Sequence, residues 1–133
     1  MSTPRIIAVA GQKGGAGKTT LTVHVAEGLR LAGKRVVVVD TDPQGSSQLW
    51  REEAEENGHT AVTVLGAKPS TIKSVVRAAL EGADVVVIDT PAGISDASGK
   101  ALREAELVLV PVAPGPADVW ALGITATAVE TVR

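Results

Sequence analysis

Four continuous runs of apolar, mostly β-branched residues constrain the fold of this chain more than any other feature. The runs are RIIAVA (5–10), RVVVVD (35–40), DVVVIDT (84–90) and LVLVPVA (107–113), and a weaker run, AVTVLG, covers 61–66. A strand exposed to water on one face alternates apolar and polar residues, whereas a continuous run is typical of a strand covered on both faces. The sequence therefore predicts four central strands of a parallel sheet and one outer strand.

Helical patterns lie between these runs. Between residues 18 and 31, Leu21, Val25 and Leu29 recur every four residues and form the apolar face of a predicted amphipathic helix. Further helices are predicted at 46–57, from Pro69 onwards, near 96–104, and from Pro116 to the last residue. Because strand and helix alternate throughout, we predict an α/β fold, namely a doubly wound, mainly parallel β-sheet with helices on both faces.

The composition excludes several classes of protein. The chain contains no cysteine, which excludes disulfides, thiolate metal sites and cysteine-ligated clusters. A net charge of -2 indicates no general affinity for nucleic acid or for an anionic membrane. No apolar run approaches the ~20 residues of a membrane span, and the first residues lack the apolar core of a signal peptide. We therefore expect a cytoplasmic protein with no membrane contact.

The segment GQKGGAGKTT (11–20) follows the first apolar run and opens the first predicted helix. Glycines allow positive φ, so backbone N–H groups can line a concavity that binds phosphate oxygens, and the helix N-terminus adds positive potential. Lys18 can reach the β- and γ-phosphates, and the Thr19 hydroxyl can ligate Mg²⁺. The usual pattern, G-x-x-x-x-G-K-[ST], requires glycine where this chain has Gln12. The segment thus predicts an unusual phosphate-binding loop, with a glycine-rich turn that binds nothing as the alternative.

Three aspartates follow or end predicted strands. Asp40 and Asp89 each end an apolar run, and Asp42 lies just beyond the first of them. The carboxyl ends of parallel strands share one edge of a sheet, so we expect the three side chains near the phosphate loop. Asp89 matches the Walker B position, which holds Mg²⁺ through water, and Asp40 can share that water shell. Asp42 can orient or deprotonate an attacking water, while a turn or helix-cap role is the alternative for any one of the three.

These segments resemble motifs of one family. KGGAGKTT resembles the deviant Walker A motif of the ParA/MinD superfamily, K-G-G-x-G-K-[ST], in which position 12 need not be glycine. VVVVDTDPQGS is similar to the Walker A′ or switch I segment, VVVIDTPAGISD to Walker B and switch II, and LVLVPVAPGPADVWAL to the following strand and proline-rich loop. The D-x-D-P-Q-G sequence resembles that of ParA-type partition ATPases, and the compact layout is similar to that of small, ParF-like plasmid partition proteins. Relatives usually continue past the proline-rich loop, so we expect residues 1–133 to be one P-loop domain that forms the N-terminal portion of a longer, ParA-like domain.

The resemblance implies which residues bind the nucleotide and act in catalysis. The implied phosphate-binding residues are Lys13, Gly14, Gly15, Ala16, Gly17, Lys18, Thr19 and Thr20. Lys13 is the signature lysine, implied to reach the partner's phosphates across a nucleotide-sandwich dimer, where a second cation neutralises charge during phosphoryl transfer. Lys18 is implied to act on the nucleotide of its own subunit, and Asp42 to hold the hydrolytic water.

The same resemblance implies a metal site and a nucleotide sensor. Thr19 is the implied direct Mg²⁺ ligand, with Asp40 and Asp89 acting through the water shell of the ion. Thr90 and Gly93, with Pro91 between them, correspond to the switch II turn that senses the γ-phosphate.

The function implied is that of an ATP-dependent dimerisation switch in plasmid or chromosome partition. Its cofactors would be ATP or ADP and Mg²⁺, and adenine is implied by the family alone. A centromere-binding partner protein would stimulate slow hydrolysis, and the homodimer would cycle on the nucleoid. The alternatives are another positioning ATPase of the ParA/MinD superfamily, or a nucleotide-binding module without turnover.

Neither aromatic nor basic residues indicate a nucleic-acid surface. Trp50 and Trp120 are expected to pack in the protein rather than to stack on bases. Binding to DNA phosphates requires a basic stripe. The candidate basic residues are too scattered along the sequence to predict one: Lys68, Lys73, Arg77, Lys100 and Arg103. The non-specific DNA binding of the full-length family therefore has little support in this chain.

Overall fold

A computed structural model describes residues 4–11, 17–59, 62–93 and 95–132, except for the side chain of Asp118. The strands are β1 (Ile6–Val9), β2 (Val36–Asp40), β3 (Thr63–Gly66), β4 (Val85–Asp89) and β5 (Leu107–Leu109). The helices are α1 (Lys18–Leu31), α2 (Ser46–Glu56), α3 (Ile72–Gly82), α4 (Asp96–Glu104) and α5 (Pro116–Val132). None of the helices within the described ranges has the length and apolar content needed to cross a bilayer.

Every predicted element is present, and the largest differences from the predictions concern the fifth strand and the third helix. The fifth strand was predicted to be central and to cover 107–113. That prediction is wrong, because the strand lies at an edge of the sheet next to β1 and ends at Leu109, two residues before Pro111, which has no N–H to donate to a sheet. The third helix begins at Ile72, because Pro69–Thr71 forms a single 3-10 turn ahead of it.

All five strands are parallel, in the order β3-β2-β4-β1-β5. Successive residues of a strand point to opposite faces, and both faces of this sheet are apolar. Ile6 and Ala8 pack against α3, α4 and α5, whereas Ile7 and Val9 face α1 and α2. The predicted doubly wound fold with helices on both faces is confirmed.

Helix α1 approaches the sheet through smaller residues than the sequence pattern predicted. Its most buried apolar side chains are Val23 and Ala26, next to the fully buried Thr22, while Leu21 and Leu29 only flank the core. The Thr22 hydroxyl donates to the Lys18 carbonyl oxygen at 2.8 Å, so it is satisfied inside the helix. Small side chains on this face let the start of α1 lie close to the carboxyl ends of the strands.

The two tryptophans differ. Trp50 packs against the core between the sheet and α1, as predicted. Trp120 lies on α5 with 83% of its surface exposed, so the prediction that it packs in the protein is wrong. Helix α5 is apolar around most of its circumference, and its sequence therefore did not indicate which face would be buried.

The order of the strands creates a crevice at one position. After β1 the chain passes to the face covered by α1, and after β4, the neighbour of β1, it passes to the face covered by α4. Where adjacent strands send their connections to opposite faces, a crevice opens at the carboxyl edge of the sheet, and α/β proteins bind ligands there. Gly11 and Gly17, at the two described ends of the glycine-rich segment, and Asp89 lie at this switch point.

Candidate functional site

Only the two ends of the glycine-rich segment, Gly11 and residues 17–20, lie within the described residues. Residues 12–16 lie outside the described residues, and with them the predictions for Lys13, Gly14, Gly15 and Ala16. Gly17 precedes α1 with a φ of 85°, in the left-handed region. A side chain there would strain the backbone, so the start of α1 requires glycine.

Lys18, the first residue of α1, is 8% exposed. Its stem lies beside Gly11, where an added Cβ would stand 3.7 Å from the Lys18 Cδ. A lysine is rarely this buried without a negative partner, and the buried carboxyl group of Asp89 is close enough to interact with its charge. Thr20, the last predicted phosphate-binding residue, has an exposed side chain.

Asp89 occupies the centre of the site. It ends β4, pairs in register with Val9 on one side and Asp40 on the other, and is fully buried. Its Oδ2 accepts hydrogen bonds from Thr19 Oγ1 at 3.1 Å and from Ser47 Oγ at 2.7 Å. No group among the described residues donates to its Oδ1, which is also buried.

The surroundings of Asp89 favour a nearby cation. Burial raises the pKa of its carboxyl group above the usual value, and the Ser47 hydrogen bond, the charge of Lys18 and the Thr19 hydrogen bond oppose that rise. A buried carboxylate oxygen without a donor is uncommon in proteins and calls for a partner such as an ion or its water. The hydroxyl of Thr19 and the free Oδ1 of Asp89 together fit a hydrated Mg²⁺.

Asp40 lies one strand away and is held differently. It is 1% exposed, its Oδ1 accepts the Asp42 N–H at 3.0 Å, and its Oδ2 accepts the Gln48 N–H at 3.4 Å. Burial raises the pKa of Asp40, the Asp42 N–H opposes the rise, and the charge of Asp89 adds to it. Both oxygens of Asp40 already bind backbone groups, so this carboxylate shapes the loop that follows β2.

Asp42 lies within that loop and helps to fold it. Its Oδ1 accepts the Gln44 N–H at 2.9 Å, and its carbonyl oxygen accepts the Gly45 N–H at 2.9 Å. Gly45 has a φ of 65° and directly precedes α2. The D-x-D-P-Q-G sequence therefore forms a compact turn that carries Asp42 next to the two buried carboxylates.

The predicted switch II turn is tied to the base of the phosphate loop. The Thr90 hydroxyl donates to the Val9 carbonyl oxygen at 2.7 Å, and the Gly93 N–H donates to the Gly11 carbonyl oxygen at 2.9 Å. The Thr90 N–H also donates to the Val9 carbonyl oxygen, at 3.3 Å, so three hydrogen bonds join the segment after β4 to the end of β1.

Two residues of the site were missed by the sequence reasoning. Ser47 donates to Asp89 from the first turn of α2, and the Thr41 hydroxyl donates to the Asp89 carbonyl oxygen at 2.8 Å. Nothing in the local sequence distinguishes Ser47 from Ser46, and only its burial against β4 does so. Within the described ranges, no three His, Cys, Asp or Glu side chains converge to hold a metal.

The basic residues are less dispersed in space than in sequence. A cleft of about 320 Å³ between α3 and α4 is lined by Lys73, Lys100 and Arg103. Arg77 pairs with Glu104 at the same cleft, at 3.5 Å. Three of the five basic residues therefore line one cleft, together with Glu104, and the expectation that the five form no DNA-binding stripe stays a prediction.

The features described so far define a P-loop nucleotide-binding domain. They are a parallel sheet with the two ends of a glycine-rich segment at its switch point, a buried lysine and a threonine that open the next helix, and an aspartate that ends the neighbouring strand. Residues 7–106 match the model of the CobQ/CobB/MinD/ParA nucleotide binding domain. The chain belongs to this family, and the predicted membership of the ParA/MinD superfamily is confirmed.

The chain is similar to members of the family that are named for different functions. The chain is 34% identical over 128 residues to the maintenance of carboxysome distribution protein A of Halothiobacillus neapolitanus, covering 96% of this chain and 59% of that protein. It is 35% identical to the chromosome-partitioning ATPase Soj of Thermus thermophilus, covering 97% of this chain and 63% of Soj. The structure of cobyrinic acid a,c-diamide synthase from Mycobacterium smegmatis with bound ADP and magnesium superposes with a TM-score of 0.79 at 25% identity, over 96% of this chain and 67% of that one. The chain thus spans less than two thirds of the length of both curated relatives.

Proposed function

We propose that this chain is the nucleotide-binding part of a Mg²⁺-dependent ATPase that dimerises on ATP and acts in plasmid or chromosome partition. The observation that carries the proposal is the buried group at the switch point, in which Thr19 and Ser47 both donate to Asp89 beside the buried Lys18. The 35% identity to Soj, whose name is chromosome-partitioning ATPase, supports the biological role.

In this proposal each residue has a separate task. Magnesium, when bound, supplies neutralisation of the phosphate charge. Lys18 binds the β- and γ-phosphates, and the Thr19 oxygen offers a lone pair for ligation while its O–H group donates to Asp89 Oδ2. Asp42, on the turn after β2, orients the attacking water, and Asp40 keeps that turn in place through the Asp42 N–H. Asp40 and Asp89 would also hold Mg²⁺ through its water shell.

Dimerisation follows from the second lysine of the glycine-rich segment. Lys13 would reach the nucleotide of a second subunit and neutralise the charge that develops on the γ-phosphate. Each site would then be complete only in the homodimer, so hydrolysis would be slow until a centromere-binding partner stabilises that state. The chain would act in the cytoplasm, at the nucleoid.

A second candidate function is the positioning of a protein cargo. The 34% identity over 96% of the chain to a maintenance of carboxysome distribution protein favours it. Both functions use the same ATP-dependent switch and differ in the partner. A stimulator of hydrolysis that binds centromeric DNA would support partition, whereas one that binds a protein compartment would support positioning.

The proposal is tested with Lys18→Ala and Lys13→Ala, with Lys34→Ala on the exposed turn after α1 as a control. Lys18→Ala should weaken Mg-ATP binding roughly 10- to 100-fold, because a charge-assisted hydrogen bond to phosphate is lost. Lys13→Ala should bind Mg-ATP normally but lose the ATP-dependent dimer and about 10³-fold in hydrolysis rate, as removal of an arginine finger does. Calorimetry, light scattering and phosphate release measure the three quantities.

Each variant can contradict its own part of the proposal. Unchanged Mg-ATP affinity in Lys18→Ala would show that the phosphates lie elsewhere. Normal dimerisation and hydrolysis in Lys13→Ala would remove the role in trans. Binding of ATP without hydrolysis by the unchanged chain, with or without a partner, would favour the non-catalytic module.

A further inference from the structure

The first turn of α2 holds both buried carboxylates of the site. Ser47 Oγ donates to Asp89 Oδ2 at 2.7 Å, and the next residue, Gln48, donates its N–H to Asp40 Oδ2 at 3.4 Å. Asp40 and Asp89 are register partners on adjacent strands, so one helical turn spans the two strand ends. Ser47 itself is fully buried.

Ser47 is the second residue of α2, so no carbonyl oxygen of a preceding helical turn is available to its hydroxyl. Thr22, the fifth residue of α1, does donate to such an oxygen. Ser47 instead donates to a carboxylate 42 positions along the chain, and the distance is 0.4 Å shorter than that from Thr19 to the same oxygen (2.7 against 3.1 Å). Short hydrogen bonds to an ionised acceptor are among the stronger ones in proteins.

Two donors on one oxygen restrict the rotation of the Asp89 carboxylate. Thr19 approaches Oδ2 from α1 and Ser47 approaches it from α2, so rotation about the last side-chain bond would break both bonds. The other oxygen, Oδ1, is thereby left without a donor among the described residues. This orientation keeps one lone-pair-bearing oxygen available beside the Thr19 hydroxyl.

We infer that Ser47 is a positioning residue for the magnesium site, which fixes Asp89 so that Oδ1 can accept a hydrogen bond from a metal-bound water. The inference rests on the proposed function, since it assumes that Thr19 and Asp89 serve Mg²⁺. It also assigns a second task to Ser47, because α2 begins directly after the turn that carries Asp42. Through Ser47, the position of that turn and the orientation of Asp89 are coupled.

The test compares Ser47→Ala with Ser46→Ala, its neighbour in the same helical turn. Ser46 makes no side-chain hydrogen bond to the described residues, so its variant controls for the loss of a hydroxyl from α2. Binding of a fluorescent ADP is measured in EDTA and then during a Mg²⁺ titration, and thermal unfolding checks the fold. Ser47→Ala should raise the Mg²⁺ concentration at half-maximal effect about 10-fold, the lower end of what loss of an outer-sphere partner costs. Its affinity for ADP in EDTA should stay within about twofold of that of Ser46→Ala, since Ser47 acts through Asp89 and the metal.

Three results would overturn the inference. An unchanged Mg²⁺ midpoint in Ser47→Ala would show that Thr19 alone orients Asp89. An equal loss of ADP affinity with and without Mg²⁺ would show that Ser47 only supports the fold of the loop. If the unchanged chain binds ADP with no response to Mg²⁺, the proposed function fails and the inference falls with it, which distinguishes that outcome from the first two.

Discussion

At the scale of single residues, Asp89 shows a conflict between stability and function. Its carboxylate is fully buried in the middle of the sheet, and burial raises its pKa because the charged form loses its hydration. Two hydrogen bonds and the charge of Lys18 offset only part of that cost. A charged side chain whose burial lowers the stability of the folded protein is expected at a binding site, where the ligand supplies the missing interaction.

Asp89→Asn should therefore stabilise the protein in the absence of nucleotide and Mg²⁺. The raised pKa of Asp89 means that the folded state disfavours the ionised form present at neutral pH, and an amide avoids ionisation while its oxygen can still accept from Ser47 and Thr19. A gain of about 1 kcal/mol would raise the Tm by roughly 4 °C for a domain of this size. Thermal unfolding at pH 7 in EDTA measures it, with the exposed Asp96→Asn as control. A lower Tm would show that the attraction between Asp89 and the buried Lys18, together with the cost of burying an amide NH2 at the position of Oδ1, outweighs the desolvation.

At the scale of elements, the two ends of the sheet have different tasks. The carboxyl ends of β1, β2 and β4 carry the site, while the amino ends of β2 and β4 are joined by Arg35 and Asp84. The Arg35 guanidinium donates to both Asp84 oxygens, at 2.9 and 3.2 Å, and the Arg35 N–H donates to Oδ2 at 2.8 Å. Arg5 adds side-chain bonds to the carbonyl oxygens of Leu80 and Ala83, at the end of α3. Polar bonds that support the fold are thus placed at the edge opposite the site.

The Arg35–Asp84 pair predicts a dependence of stability on pH. The Arg35 hydrogen bonds lower the pKa of Asp84 to about 2, below the value of 3.8 for an unperturbed aspartate. A carboxyl group with a lowered folded-state pKa stabilises the protein above its unfolded pKa, and that contribution is lost as the pH falls towards the folded value. We expect Asp84→Asn to be less stable than the unchanged chain at about pH 5 and the difference to shrink towards about pH 2. Urea unfolding at the two pH values measures it, and an equal difference at both would show that the ionised pair is not the cause.

At the scale of the whole molecule, apolar surface is distributed unevenly. The face of the sheet covered by α1 and α2 buries Trp50, whereas α5 leaves Val119, Trp120 and Ile124 exposed by 55%, 83% and 52%. Side chains of α5 nearer its end, Val129 and Val132, do pack against the core. The residues near the end of α5 therefore pack against the core, whereas the exposed residues nearer its start contribute little to the stability of the protein.

Substitution of the two tryptophans should separate these contributions. Trp50→Ala should lower the free energy of unfolding by about 2 kcal/mol, less than for a fully buried tryptophan because Trp50 is half-buried. Trp120→Ala should change it by no more than about 0.5 kcal/mol, as is usual for surface positions. Urea unfolding of both variants provides the comparison. A large loss of stability in Trp120→Ala would mean that α5 packs more closely than the structure shows.

The sequence by itself determined the elements, because they depend on local patterns. Continuous β-branched runs predicted each strand, four-residue periodicity predicted α1, and Pro116 predicted the start of α5. The motif residues Lys18, Asp40 and Asp89 could be placed at the sheet edge, since parallel strands bring their carboxyl ends together.

Only the tertiary structure decided which side chains meet across elements. Ser47 and Asp89 are 42 positions apart, and their hydrogen bond depends on how α2 packs over β4. Lys73 and Arg103 share a cleft because α3 and α4 lie side by side, and Trp120 is exposed because α5, apolar on most sides, buries a different face. Local patterns are set by the conformational preferences of neighbouring residues, whereas these contacts are set by the packing of whole elements. For that reason the glycine-rich segment could be recognised from its sequence, whereas the hydrogen bond from Ser47 to Asp89 could not.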